Sequence, residues 1–232
     1  MVQASPNSHL LYPDSDGKPM ADNTMQYRWI VRLVGNLKRL LKDQIAFVAG
    51  DLLWYPVQVD QGTVPSQAPD AMVVLGRPDG DRGSYQQWKE ENIAPQVVFE
   101  IISPSNSAAE MADKQLFYQQ YGVMEMYFYD PKSYNFWGLV REAHTQNFSL
   151  ITALNIPWTS PLLQIRFELF DDGLAVFYPD GQPFRDFEEL AENLDQAQSE
   201  LNQAQAELTQ AQAERERAFA KLRELGIDPT TL

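Results

Sequence analysis

The sequence predicts an α/β fold, in the α+β sense, with a mixed central sheet flanked by helices and a coiled-coil helix at the C-terminus. Three observations predict it. Short β-branched and aromatic runs recur between residues 45 and 178, punctuated by Pro, Gly and Asp. Two of them, VVFEIIS at 97–103 and EMYFY at 125–129, enclose one helical stretch, which implies a crossover and a parallel strand pair. From Leu190 onward the apolar period becomes seven.

In chain order, residues 24–42 carry Ile30, Leu33, Val34, Leu37 and Leu41 at helical spacing, so one face of a helix is apolar. Arg28, Arg32, Arg39 and Lys42 fall on the opposite side, either as a solvated charged face or as a stripe for phosphates. Strand-like runs follow at 45–50, 52–59 and 71–75, the last introduced by Pro69-Asp70, and suggest a β-meander. Residues 77–95 read as a loop with a helical turn; Tyr85, Trp88, Arg82 and Lys89 there either clamp nucleotides or pack on their own domain.

Ser107 followed three residues later by Glu110 is a capping-box pattern, placing a helix from Ser107 to Tyr121 with Gly122 as its C-cap. Further strands are expected at 125–129, 134–140, 148–152, 162–168 and 174–178, completing or flanking the sheet. In the tail, positions 194, 201, 208 and 222 are Leu, with Arg215 interrupting, while 197, 204, 211 and 218 are Ala. This heptad seam runs to Leu225, before Gly226, over roughly 54 Å of helix. A lone helix cannot bury such a seam, so the tail is expected to pair with a second copy, giving a homo-oligomer, a dimer; docking back on the body is the alternative. Two domains result, residues 1–185 and 186–232.

Composition narrows the chemistry. With no cysteine and only His9 and His144, thiolate zinc sites, cysteine nucleophiles and most imidazole metal sites are excluded. Acid–base work must come mainly from Asp, Glu, Lys or Tyr, and any metal should be a hard, oxygen-bound cation such as Mg²⁺ or Mn²⁺. The net charge of −14 argues against a protein that coats nucleic acid by charge alone, although the 11 acids and 4 bases after residue 185 carry half of it. No apolar window reaches the ~18 residues of a membrane span and the N-terminus lacks a signal-peptide pattern, so no membrane partner and a cytoplasmic location are expected.

Glu100 is the residue that demands an account, because it interrupts an otherwise apolar strand. An unpaired buried carboxylate costs several kcal/mol, so it must be protonated, paired, metal-bound or turned to a cleft. It points to the same side as Val98 and Ile102, and Asp70 stands at the entrance of a neighbouring strand. From Glu100 the chain descends about 10 Å to the strand end and climbs about 10 Å of helix to Lys114, which returns to the same level. Glu110, Lys114 and Tyr118 form one stripe of that helix.

These residues carry a resemblance. PD at 69–70, VVFEIISPS at 97–105, the helix with Lys114 and Tyr118, and YGVMEMYFYDP at 121–131 resemble the bacterial family filed as domain of unknown function 820. That family is a restriction-endonuclease group of the PD-(D/E)XK nuclease-like superfamily, and RELGIDP after a helical tail is similar to its longer members. Three positions depart from its pattern: Ile102 stands where the strand lysine would be, Glu110 where the family has Asp, and Met126 where Tyr is usual. The resemblance implies a restriction-endonuclease-like core and a metal-dependent nuclease acting on DNA ahead of RNA. It implies Asp70, Glu100 and the carbonyl of Ile101 as ligands of Mg²⁺ or Mn²⁺, and Lys114 assisting the attacking water. Glu110 and Tyr118 would support them; on the reading of the helix face and the loop above, Arg28, Arg32, Arg39, Lys42, Arg82 and Trp88 are the residues expected to contact nucleic acid. The competing reading is a catalytically weak or inactive nuclease-fold protein that works by nucleic-acid binding or coiled-coil assembly; a glycosidase-type carboxylate pair is a distant third.

Overall fold

The computed structural model describes residues 12–17 and 19–225, which fall into two compact units, Met1–Arg185 and Asp186–Leu232. The readings of the N-terminal segment and of Gly226 as a helix terminator lie outside the described residues. The first unit contains helix α1 (Thr24–Leu40) and strands β1 (Ala46–Ala49), β2 (Trp54–Tyr55), β3 (Ala71–Leu75), β4 (Tyr85–Gln86) and β5 (Val97–Ile101). Helix α2 (Ala108–Tyr121) follows, then β6 (Glu125–Asp130), β7 (Asn135–Val140), β8 (Ser149–Ile151), β9 (Trp158–Thr159), β10 (Arg166–Phe170) and β11 (Gly173–Phe177).

Six strands form one mixed sheet in the order β1-β3-β5-β6-β7-β8, and only β5 and β6 pair in parallel. That pair is the one joined through α2, as a strand–helix–strand crossover requires. Side chains alternate along the buried strands. Val97, Phe99 and Ile101 face a core with Ile30, Leu33 and Leu37 of α1, whereas Val98 faces a second core with Tyr118 of α2, Trp54 and Tyr85. Each large aliphatic side chain of α1 buried this way contributes about 1.5–3 kcal/mol.

Local signals set the helix ends. Asn23 caps α1 by accepting a hydrogen bond from Gln26 N at 2.9 Å. Ser107 Oγ accepts one from Glu110 N at 3.1 Å, and Gly122, at φ +102°, closes α2 in the left-handed conformation that glycine adopts without strain.

Two expectations are corrected. The run at 52–59 yields only the two-residue β2, outside the main sheet, paired in parallel with β4. Pro56 immediately follows Tyr55 and has no N–H to extend the ladder. The strand expected from 162 begins at Arg166, because 160–165 turn back on themselves through Ser160 N to Ile165 O, 2.8 Å. It forms a separate three-stranded sheet, β11-β10-β9, whose Phe167, Leu174 and Val176 cover the α1 side of the core.

The second unit is helix α3 (Phe187–Glu224). It starts three residues before the heptad seam, with Glu189 Oε2 accepting from Asp186 N at 3.3 Å. Along it Gln196–Glu200, Gln203–Glu207 and Gln210–Glu214 are bonded i to i+4, each at 2.9 Å, which supports a helix with few apolar residues.

Candidate functional site

The β3–β5 register pairs Ala71 with Phe99, so one residue further Asp70 comes opposite Glu100. Both carboxylates are buried, at 7% and 2% exposure. Lys114, on the second turn of α2, donates to Glu100 Oε2 at 2.7 Å, and Tyr118, one turn later and fully buried, donates to Glu100 Oε1. Tyr118 is fixed in turn by stacking on Trp54, ring centroids 6.3 Å apart and interplanar angle 6°.

Asp70 Oδ2 accepts from Ile101 N at 2.6 Å and from Gln26 Nε2 at 3.4 Å. The same Gln26 nitrogen donates to Ile101 O at 3.0 Å, so one amide from α1 bridges the Asp70 carboxylate and the Ile101 carbonyl. Asp70, Glu100, Ile101 and Lys114 are thus brought together at the C-terminal end of β5, beside the start of α2.

Burial and close charges set the electrostatics of the pocket. Burial, then the charge of Glu100, pushes the Asp70 carboxyl up to about 7, against the opposing pull of Lys114 and the bonds from Ile101 N and Gln26. Burial alone would lower the Lys114 pKa, but Glu100 and Asp70 outweigh it and hold the ammonium above its ordinary value. Burial, then Glu100, keeps the Tyr118 phenol well above its ordinary value, so it remains a donor.

A cleft of about 320 Å³ opens over these groups, lined by Asp16, Asp22, Asp51, Asp70, Glu110 and Lys114 among others. Asp51 sits in a left-handed turn at φ +47°, its N–H bonded to Pro69 O at 3.0 Å. Burial and then Asp16 raise it to about 6. Gly50 lets this turn approach: a Cβ there would lie 2.9 Å from Val34 Cγ2 and 3.1 Å from the Asp70 carbonyl oxygen. The rim is tied down by Ser103 and Ser105, whose hydroxyls both donate to Asp22 Oδ2, the first at 2.5 Å.

Among the described residues, no three His, Cys, Asp or Glu side chains group closely enough to hold a metal on their own. The oxygen donors are two carboxylates and a backbone carbonyl, which fit a hard cation such as Mg²⁺ or Mn²⁺ by type. Burial and the Glu100 charge disfavour the ionised Asp70, an effect that a nearby dication would offset.

The remaining expected residues lie elsewhere. Arg28 is exposed, Arg32 lies 5.0 Å above the Trp29 ring and Arg39 lies 5.3 Å from the Tyr178 ring. Lys42 is 3.9 Å from Asp43 at the surface. Arg82 is ion-paired to Glu90 at 2.8 Å and covers the Phe47 ring at 4.0 Å, while Trp88 packs on Tyr12 with ring centroids 4.9 Å apart. None of these six lines the cleft. Tyr85 is fully buried and donates to Ile93 O at 2.6 Å.

Sequence reasoning passed over Gln26. A signal for Gln26 existed: it precedes Ile30 by four residues, which puts a polar side chain on the apolar stripe of α1.

Comparison with known proteins adds the following. Residues 17–176 match the sequence profile of the Uma2 family, described as "Putative restriction endonuclease". Among solved structures, a protein of Anabaena variabilis ATCC 29413, titled "a putative nuclease belonging to DUF820", is similar at 17% identity and TM-score 0.44, over 63% of this chain and 77% of that one. No curated protein matches.

Proposed function

The chain belongs to the Uma2 family, and from that premise we propose that it is a metal-dependent nuclease hydrolysing phosphodiester bonds of nucleic acid, DNA ahead of RNA. The observation that carries this reading is the pairing of Lys114 with Glu100 at 2.7 Å, beside a second buried carboxylate, Asp70, on the floor of an open cleft. A purely structural ion pair gains nothing from a second acid held at a raised pKa.

In this reading Asp70, Glu100 and the Ile101 carbonyl would hold Mg²⁺ or Mn²⁺, which when bound would supply a more acidic water and offset charge on the phosphate. Lys114 donates to the non-bridging phosphate oxygens and orients the water, and its raised pKa keeps it cationic for that work. Tyr118 holds the Glu100 carboxylate in its rotamer.

We assign the chemistry to residues 1–185 and self-association, as a dimer, to 186–232. The tail is the basis for the second assignment: Leu194, Leu201 and Leu208 are 69%, 52% and 59% exposed on α3. No helix among the described residues is long and apolar enough to cross a membrane.

Titration of Mn²⁺ into the wild type, Asp70→Asn and Glu100→Gln, with cleavage of single- and double-stranded DNA and RNA followed in parallel, tests the proposal. Binding and cleavage present in the wild type and lost in both variants is the expected result. A wild type that binds no dication and cuts none of the four substrates sinks it.

A further inference from the structure

We infer that Gln26 is a positioning residue of the cation site, holding the oxygens of Asp70 and Ile101 in place and standing where a third acidic ligand would stand. This rests on the cation site proposed above, and it concerns a residue that the family resemblance left without a role.

Three features of Gln26 lead here. Its side chain is buried, at 6% exposure, on the α1 face that also buries Ile30, Leu33, Asn36 and Leu37. Its Nε2 lies 3.0 Å from Ile101 O and 3.4 Å from Asp70 Oδ2, between two of the three oxygens assigned to the cation. Its Oε1 accepts from Asp22 N at 2.8 Å, which fixes which end of the amide faces the site.

The donor count gives the position its meaning. Among the described residues the site musters two carboxylates, and no third acid completes a metal-binding group. Hard-cation affinity rises with the number of charged ligands and with their rigidity. An amide at this point supplies rigidity without charge. It stabilises Asp70 by a hydrogen bond, and it withholds the negative charge that an acid would add. The geometry therefore makes Gln26 the residue that keeps cation affinity moderate while keeping the ligands aligned.

A capping role alone makes a different forecast. Gln26 occupies the third helical position after Asn23, where a side chain commonly reaches back to the chain entering the helix. Gln26→Glu preserves that acceptor for Asp22 N–H but replaces both donations into the site with a charge. Gln26→Met preserves length and loses every polar contact.

The test is calorimetric titration of Mn²⁺ into the full chain and the two variants, with melting temperatures recorded in metal-free buffer. Gln26→Glu is expected to bind Mn²⁺ about tenfold tighter or better than the wild type while melting lower without metal. Gln26→Met is expected to bind severalfold more weakly. Equal Mn²⁺ affinity in the wild type and Gln26→Met overturns the inference, even if Gln26→Glu does not fold. Equal affinity in the wild type and Gln26→Glu also overturns it, and in both cases the proposed function stands. A wild type that binds no Mn²⁺ beside a Gln26→Glu that does overturns both the inference and the natural cation site. No binding by any of the three overturns both.

Discussion

Two glutamates are buried at opposite ends of the same parallel strand pair, and they differ in what surrounds them. Glu100, near the end of β5, meets an ammonium, a phenol and a second carboxylate under an open cleft. Glu125, the first residue of β6, meets only neutral donors: Ser160 Oγ, Tyr127 OH at 2.8 Å and Leu162 N at 2.7 Å. Burial raises the Glu125 pKa and those three donors pull it back, with no charge involved. Glu125 fastens the turn before β10 to the start of β6 in the main sheet, and Trp158 Nε1, 3.3 Å from Tyr127 OH, extends the clamp. Buried carboxylates by themselves therefore mark nothing; a cation partner, a second acid and access to solvent distinguish a reactive one from a fastener.

The sharpest way to break that contrast is to neutralise each glutamate in turn. Glu100→Gln should reduce Mn²⁺-dependent cleavage by about a hundredfold to a thousandfold, whereas Glu125→Gln should leave the rate per folded molecule within about twofold. Comparable losses in both, measured by single-turnover cleavage, would erase the distinction.

For stability the order reverses. Glu125→Ala leaves the Ser160 and Tyr127 hydroxyls and the Leu162 amide without their acceptor in the interior, which should cost about 2–4 kcal/mol in a urea melt. Glu100→Gln leaves Lys114 at the cleft, where water can reach it, and should cost less.

Acidity separates the two sites further. The Asp70 carboxyl titrates at about 7 when folded, against the ordinary 3.8 when unfolded. The native state thus holds a proton that the unfolded chain has released between those values. Metal-free protein should gain stability as pH falls from about 8 toward 4, and lose that gain as pH rises through 7. Asp70→Asn should remove much of this slope and Glu125→Gln only part of it; melting temperatures across the range decide. Mn²⁺ affinity should fall as pH drops below 7, because protonated Asp70 is a poorer ligand.

The smallest effect is expected from Tyr118→Phe. It deletes one hydrogen bond to Glu100 but keeps the ring stacked on Trp54, so stability should change by about 1 kcal/mol and cleavage by less than about tenfold. An effect as large as that of Glu100→Gln would move Tyr118 from a support of the carboxylate to a participant in the reaction.

Legibility followed the range of the interactions. The capped helix from Ser107 to Gly122, the parallel pair around it and the level of Lys114 beside Glu100 all depend on short segments with fixed rise per residue, so the sequence carried them. The return of Asp70 to Glu100 was readable because a Pro-Asp turn opens a strand that neighbours β5. The split of 52–59 into a two-residue strand was less readable, since its alternation suits a longer one and only Pro56 forbids it. Glu125 drew no attention although it stands at the head of a strand as apolar as that of Glu100; its partners come from residues 160–162, which no local pattern connects to it.

Sequence alone determined most element types, the membership of Glu100 and Lys114 in one strand–helix–strand unit with Asp70 at the mouth of a neighbouring strand, and the sevenfold period of the tail, because periodicity and capping act within a few turns of chain. Tertiary structure decided that Gln26 reaches Asp70 and Ile101 from a helix that precedes them by 44 and 75 residues, and that Arg32, Arg39 and Arg82 rest on rings and Lys42 beside an acid instead of lining the cleft. The physical reason is that such contacts exist only once distant segments are packed, and their energies depend on burial that no single stretch of sequence possesses.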